Sequence, residues 1–214
     1  MRVSVTGDGP RGLADPEARE ARLAQVYLPH VAPLNRYVEA LRAQMGQRYA
    51  IPYFDPFDGG VNASVLYLLE APGRKAVVSG FISRNNPDET ARNFFELNVE
   101  AGIPRERTVT WNVVPWYIGT GDRIRAARAA DIRAARDPLR QLLALLPAVH
   151  SVALVGRNAQ TVRPVITELR PEAALYDVPH PSPMFINRAK EDNWRRTLTA
   201  LRAIMLGPRD ANGN

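Results

Sequence analysis

Three short segments carry side chains suited to handling protons and hydrogen bonds. They are Leu69-Glu70-Ala71-Pro72-Gly73, Trp111-Asn112-Val113-Val114-Pro115-Trp116 and His180-Pro181-Ser182-Pro183. A carboxylate such as Glu70 can position water and accept its proton. An imidazole such as His180 donates a hydrogen bond while still neutral, which avoids desolvating a charge. The amide of Asn112 presents an acceptor and a donor side by side, a pattern that can complement one edge of a planar ligand. The prolines around Ser182 stiffen the loop that carries His180 and limit its entropy. Taken alone, each residue also has an ordinary reading: an exposed loop His, an Asn capping a strand end, a Glu bonded to the amides of the Pro72-Gly73 turn.

What lies before these segments gives them weight. Val65-Leu66-Tyr67-Leu68-Leu69 precedes the first, an apolar run starting near Thr108 precedes the second, and Ala173-Ala174-Leu175-Tyr176 precedes the third. Ser151 to Val155 reads as a further buried strand, followed by Gly156 and a helix over 159–169. Helical periodicity marks 15–47 as two helices split near Pro29 and Pro33. Asn86-Pro87-Asp88-Glu89 is a helix start, with Asn86 capping and Gly102 as the stop. Asp137-Pro138 starts another helix, which Pro147 ends, and a last helix runs from about Ala189 to Leu206. Strands alternating with helices predict a three-layer α/β/α sandwich with a short, mostly parallel central sheet. In such a sheet, loops at the carboxyl ends of strands are where ligands bind.

The 214 residues form one expected domain, with 1–13 a flexible tail, 15–47 an N-terminal helical extension and 207–214 a frayed C-terminus. A net charge of +6 and a pI near 10.0 suit a polyanionic partner. The absence of cysteine excludes disulfides, thiolate catalysis and a cysteine-ligated iron–sulfur cluster. The three histidines, His30, His150 and His180, are too dispersed to suggest a zinc site. No apolar signal core opens the chain and no run is long enough to span a bilayer, so a cytoplasmic protein with access to the nucleoid is expected. Neither a Gly-x-Ser-x-Gly elbow nor a phosphate loop is present.

In order and strand-end placement, the three segments resemble the uracil-DNA glycosylase superfamily over roughly residues 60 to 200. Glu70-Ala71-Pro72-Gly73 is similar to the first motif of its iron–sulfur branch, although this chain lacks the cysteines such a cluster needs. His180-Pro181-Ser182-Pro183 is similar to the second motif. The resemblance implies a monofunctional enzyme that hydrolyses the N-glycosidic bond of uracil in DNA, without cofactor or metal, acting as a monomer. It makes His180 the donor to uracil O2, Asn112 the reader of the uracil edge and Phe81 the aromatic on which the extruded base stacks. Ala71, Pro72 and Gly73 would line the base pocket, and Ser182, Pro183, Met184 and Arg188 would meet DNA, with Met184 as an apolar wedge.

Two positions depart from the best-studied branch. Ala71 stands where an aspartate positions the attacking water there, and Gly73 where a tyrosine excludes thymine's methyl group. Glu70 is the favoured water-positioning group, with Asp88, Asn85 or Asn86 as other sources. The open floor at Gly73 leaves room for a broader base range, such as hypoxanthine or mismatched thymine. A rival reading is a nucleobase- or DNA-binding protein with impaired catalysis. The arginine series Arg123, Arg125, Arg128, Arg133, Arg136 and Arg140 reads as a solvated helical face more readily than as a DNA contact.

Overall fold

The structure, a computed structural model, describes residues 7–121 and 123–207. Along the chain come α1 (Pro16–Leu23), α2 (Ala32–Met45), β1 (Tyr53–Phe54), β2 (Val65–Leu69), α3 (Arg74–Ser79), β3 (Phe81–Ile82) and α4 (Glu89–Glu100). They are followed by β4 (Thr108–Asn112), the hairpin of β5 (Gly119–Thr120) and β6 (Arg123–Ile124), α5 (Ala129–Ala134), α6 (Arg136–Ala144) and β7 (Ser151–Val155). Then come α7 (Arg157–Gln160), α8 (Arg163–Leu169), β8 (Ala174–Val178), α9 (Pro183–Ile186) and α10 (Lys190–Leu206). The central sheet has the order β4-β2-β7-β8, every neighbouring pair parallel, so the expected fold class holds.

Period-two alternation explains how the sheet is covered on both faces. Leu66, Leu68, Val109, Trp111, Val152 and Leu154 point to one face and pack against α2, α6 and α8. Val65, Tyr67, Ala153, Val155 and Val178 point to the other, where Phe94 and Leu97 of α4 and Leu198, Leu201 and Ile204 of α10 cover them. Trp111 stacks on Phe54 with ring centroids 3.8 Å apart and planes 9° from parallel. Such a pair adds about 0.5–1.5 kcal/mol beyond the area it buries.

Several boundaries differ from expectation. Asp88, not Asn86, caps α4: its carboxylate accepts from the Ala91 N–H at 2.9 Å, while the Asn86 amide bonds Ser79 and the Phe81 carbonyl. The single helix expected over 159–169 is two, α7 and α8, because Pro164 in the first turn of α8 has no N–H with which to continue the earlier turn. Residues 1–6 of the expected tail lie outside the described residues, but 7–14 are packed. Leu13 is fully buried and its N–H bonds the Asn85 carbonyl, and Asn85 in turn donates to the Gly9 carbonyl. At the other end, 208–214 lie outside the described residues. No described helix is long and apolar enough to cross a membrane.

Beneath α1 and β1 runs a buried ionic cluster. Arg22 binds Asp55 at 2.6 and 2.8 Å, and Arg105 binds Asp55 at 2.6 Å, Asp58 at 2.9 Å and the half-exposed Asp8 at 2.5 Å. The Phe57 ring lies against both guanidiniums, 3.3 Å from Arg22 and 5.5 Å from Arg105. Burial works against ionisation of Asp55, yet Arg105 and Arg22 hold its carboxyl below the usual range. For Asp58 burial prevails and its carboxyl is raised. Removing one partner of such a group typically costs about 3–5 kcal/mol, because it strands a buried charge.

Candidate active site

All four strands of the sheet point their carboxyl ends at one rim, and the candidate residues gather there. Glu70 directly follows β2, Asn112 is the last residue of β4 and His180 comes two residues after β8. Leu69 and Asn112 are register partners, as are Val155 and Val178, so the pairing itself aligns these loops. They border a cavity of about 630 Å³ whose wall includes Glu70, Ala71, Pro72, Gly73, Asn112 and His180. That volume is ample for one nucleobase in a site of small-ligand size. Residues 110 apart in the chain thus share one site.

Asn112 is 3% exposed, and its Nδ2 has no hydrogen-bond partner among the described residues. A buried amide left unpaired costs on the order of 1–3 kcal/mol, so it is retained where a ligand completes it. Thr110 lies two residues earlier on the same face of β4 and lines the same cavity; its hydroxyl is likewise buried without a partner.

His180 is packed on one side by Gly156. A Cβ built there would fall 3.0 Å from both Cβ and Cδ2 of His180, and the Gly156 φ of +88° is itself a glycine conformation. Burial lowers the His180 pKa below 6.5, while the charges of Glu70 and Asp88 pull it upward. Burial wins, and the imidazole is neutral at pH 7. Its loop is tied down at Pro181, whose carbonyl accepts from Asn93 Nδ2 of α4 at 2.9 Å.

Among the described residues, the hydrogen bond that the Glu70 carboxylate makes is not to the Pro72-Gly73 turn. Glu70 Oε1 accepts from the Ala127 N–H at 2.5 Å, joining β2 to the segment that follows the β5–β6 hairpin. Ile124 of that hairpin also borders the cavity. A second carboxylate is present: Asp88 lines the cavity, and burial raises its pKa against the pull of the Ala91 and Thr90 amides, Lys75 and His180. Asn86 is at the wall with both amide atoms engaged, and Asn85 is absorbed by the ionic cluster and Gly9.

Phe81 is not part of the cavity wall. In β3 the alternation turns Ile82 toward the cavity and Phe81 the other way, into a small core with Leu13, Val26 and Tyr53. The aromatic at the wall is Phe94, edge-on to Tyr67 at 4.9 Å. On the second motif, Ser182 caps α9 by accepting from the Phe185 N–H, and Pro183 fills its first position. This short helix holds Met184 out to solvent, 74% exposed, with Arg188 exposed just beyond it. In the arginine series, Arg125 pairs with Asp131, Arg136 with Glu168 and Arg140 with Asp137.

Sequence reasoning overlooked Arg84, Thr110 and Asn93. Only Thr110 had a visible signal, being two residues from Asn112 and therefore on the same strand face. Among the described residues no group of three or more His, Cys, Asp or Glu could hold a metal ion.

Comparison with known proteins bears on family and fold. The protein-family model described as the uracil DNA glycosylase superfamily matches residues 56–202, more than half of the chain and all of the cavity-lining loops. The fold is similar to the crystal structure of wild-type SMUG2 from Pedobacter heparinus, with a TM-score of 0.54 and 14% identity over 80% of this chain and 81% of that one. No curated protein matches. The chain belongs to the uracil-DNA glycosylase superfamily, which places it among the DNA glycosylases, with DNA as its partner.

Proposed function

We propose that this protein is a monofunctional uracil-DNA glycosylase, releasing free uracil and leaving an abasic site. The observation that carries the reading is the buried, unpartnered amide of Asn112 in a cavity that also holds a neutral imidazole and a carboxylate. Uracil offers N3–H and O4 side by side, the complement of an amide's acceptor and donor, whereas cytosine reverses both. As the bond between base and sugar breaks, the base gains negative charge and the sugar becomes cation-like. His180 donates to O2 as that charge appears, an interaction stronger in the transition state than before it. Glu70 orients the water that attacks the sugar and takes its proton, with Asp88 the second carboxylate within the site. Met184, carried outward on α9, fills the gap left by the extruded nucleotide, and Arg188 contacts phosphate. We assign the protein to the cytoplasm as a monomer.

Gly73 favours a wider base range as a second reading. A Cβ there would meet nothing within 4 Å, so no side chain at this position blocks a 5-methyl group. The test is an oligonucleotide carrying a single uracil, hypoxanthine or mismatched thymine, treated with alkali after incubation. A strand break at uracil supports the proposal, and breaks at the other bases support the wider range. An intact but shifted band means a binding protein instead.

A further inference from the structure

Arg84 borders the buried ionic cluster with a more distant carboxylate than Arg22 or Arg105 has, and it lies at the cavity wall. The residue is 4% exposed. Its nearest carboxylate, Asp58, is 3.7 Å away, beyond hydrogen-bond range, and Asp58 is already held by Arg105 at 2.9 Å. Its Nη2 donates to the Thr108 hydroxyl, and the Tyr67 ring centroid is 6.0 Å from the guanidinium carbon. Its Nε has no partner among the described residues. Burying a cation with so little close compensation is costly unless something anionic arrives. An arginine stays charged in such a place.

Arg84 also has neighbours of the same kind. Thr108, Thr110 and Asn112 share one face of β4, and both Thr110 Oγ1 and Asn112 Nδ2 are buried and unpartnered. Arg84, Thr110 and Asn112 all border the cavity. Arg74 and Lys75 also line the cavity, but Arg84 is the buried cation that stands beside two neutral polar groups, and all three have unused hydrogen-bonding capacity. Resting on the glycosylase reading above, we infer that Arg84 supplies a fixed positive charge that stabilises the base as it departs as an anion. In that step water oxygen bonds to C1′, the electron pair of the C1′–N bond leaves with the base, and the water proton passes to a cavity carboxylate. Solvent protonates the base after release. The neutral His180 donor and the Arg84 cation would then divide the work, one at a hydrogen bond and the other through its field.

A fluorine at C5 of uracil acidifies the base and so supplies internally what Arg84 supplies from outside. Single-turnover cleavage should be measured on oligonucleotides carrying uracil or 5-fluorouracil, for wild type, Arg84→Gln and Arg84→Lys, with the melting temperature of each. Arg84→Gln is expected to slow uracil release about 10²-fold, the usual effect of losing one electrostatic stabiliser. It should slow 5-fluorouracil release far less, while Arg84→Lys, which keeps the charge, stays near the wild-type ratio of the two rates. Equal slowing of both bases by Arg84→Gln, or none, overturns the inference; equal slowing with a lowered melting temperature marks a structural brace. Should Arg84→Gln not fold, inhibition of wild type by the free bases at mildly alkaline pH decides. Tighter inhibition by 5-fluorouracil than by uracil supports a cation at the base, and equal inhibition overturns it. Wild type that cleaves neither oligonucleotide refutes the glycosylase reading, and the role of Arg84 with it.

Discussion

Gly156 sits against the ring of His180 so closely that a methyl group on its Cα would lie 3.0 Å from the histidine's Cβ and Cδ2. The end of β7 thereby sets the position of a side chain that belongs to the loop after β8. Gly156→Ala is expected to push the ring aside and to strain a backbone held at a φ of +88°. A 1 Å misplacement of a reacting group can cost about 10²-fold in rate, and a side chain in this glycine-only backbone region about 1–3 kcal/mol. Single-turnover cleavage and thermal melting should both fall; unchanged cleavage would show that the ring position is not critical.

Removing the ring itself should be more selective. His180→Ala is expected to slow uracil release about 10²–10³-fold, the usual loss for one donor to a developing anion. Binding of uracil-containing DNA should stay near wild type, because the bond strengthens only as charge appears. Cleavage within a few-fold of wild type would remove His180 from the chemistry.

The lowered pKa of His180 has a definite sign. The folded value lies below the unfolded 6.5, so the unfolded state binds the proton more readily between the two. The stability that the neutral ring contributes is present above pH 6.5 and lost as pH falls through the window below it. NMR titration should find this imidazole protonating below 6.5, and uracil cleavage should persist at pH values where an ordinary histidine is already charged. A titration at or above 6.5 would contradict the burial argument.

Asn112→Asp should weaken uracil cleavage and move preference toward cytosine, since a protonated carboxyl can complement cytosine's edge. The comparison is one oligonucleotide series with uracil or cytosine at the same site. Full uracil activity in the variant would mean that the unpartnered amide reads nothing.

Two carboxylates compete for the water. If Glu70 orients it, Glu70→Gln slows excision with little change in DNA affinity, because an amide is a poorer proton acceptor. Ala71→Asp then partly rescues that variant. Since Glu70 also accepts the Ala127 N–H, its melting temperature must be measured alongside; an amide oxygen preserves that bond, so melting should stay normal. If Asp88→Asn is the variant that slows while Glu70→Gln cleaves at full rate, the role passes to Asp88.

Much of the site could be read from the chain because its parts follow strands. The edges of Val65–Leu69, Thr108–Asn112 and Ser151–Val155 coincide with apolar runs, and parallel pairing then puts the residues after them at one rim. What could not be read was non-local or a matter of face. The Glu70–Ala127 bond joins residues 57 apart, and the Asn93–Pro181 tie joins residues 88 apart. Phe81 and Ile82 differ only in which side of a two-residue strand each occupies, and resemblance of motif does not report that. Nothing in the chain marks Arg84, since its carboxylate neighbour is 26 positions away and Thr108 is 24 away.

The order of strands across the sheet also dictates when the machinery exists. Glu70 and Asn112 belong to the middle of the chain, whereas His180 hangs from β8, the edge strand made last and covered by α10. During synthesis the segment bearing Asn112 emerges well before the segment bearing His180, and β8 gains its cover on one face only when α10 docks. A chain cut short before α10 would leave β8 bare on the face that α10 covers. Because an edge strand opens more easily than a central pair, fraying of β8 and α10 would displace His180 from the rim while the central strands stayed paired.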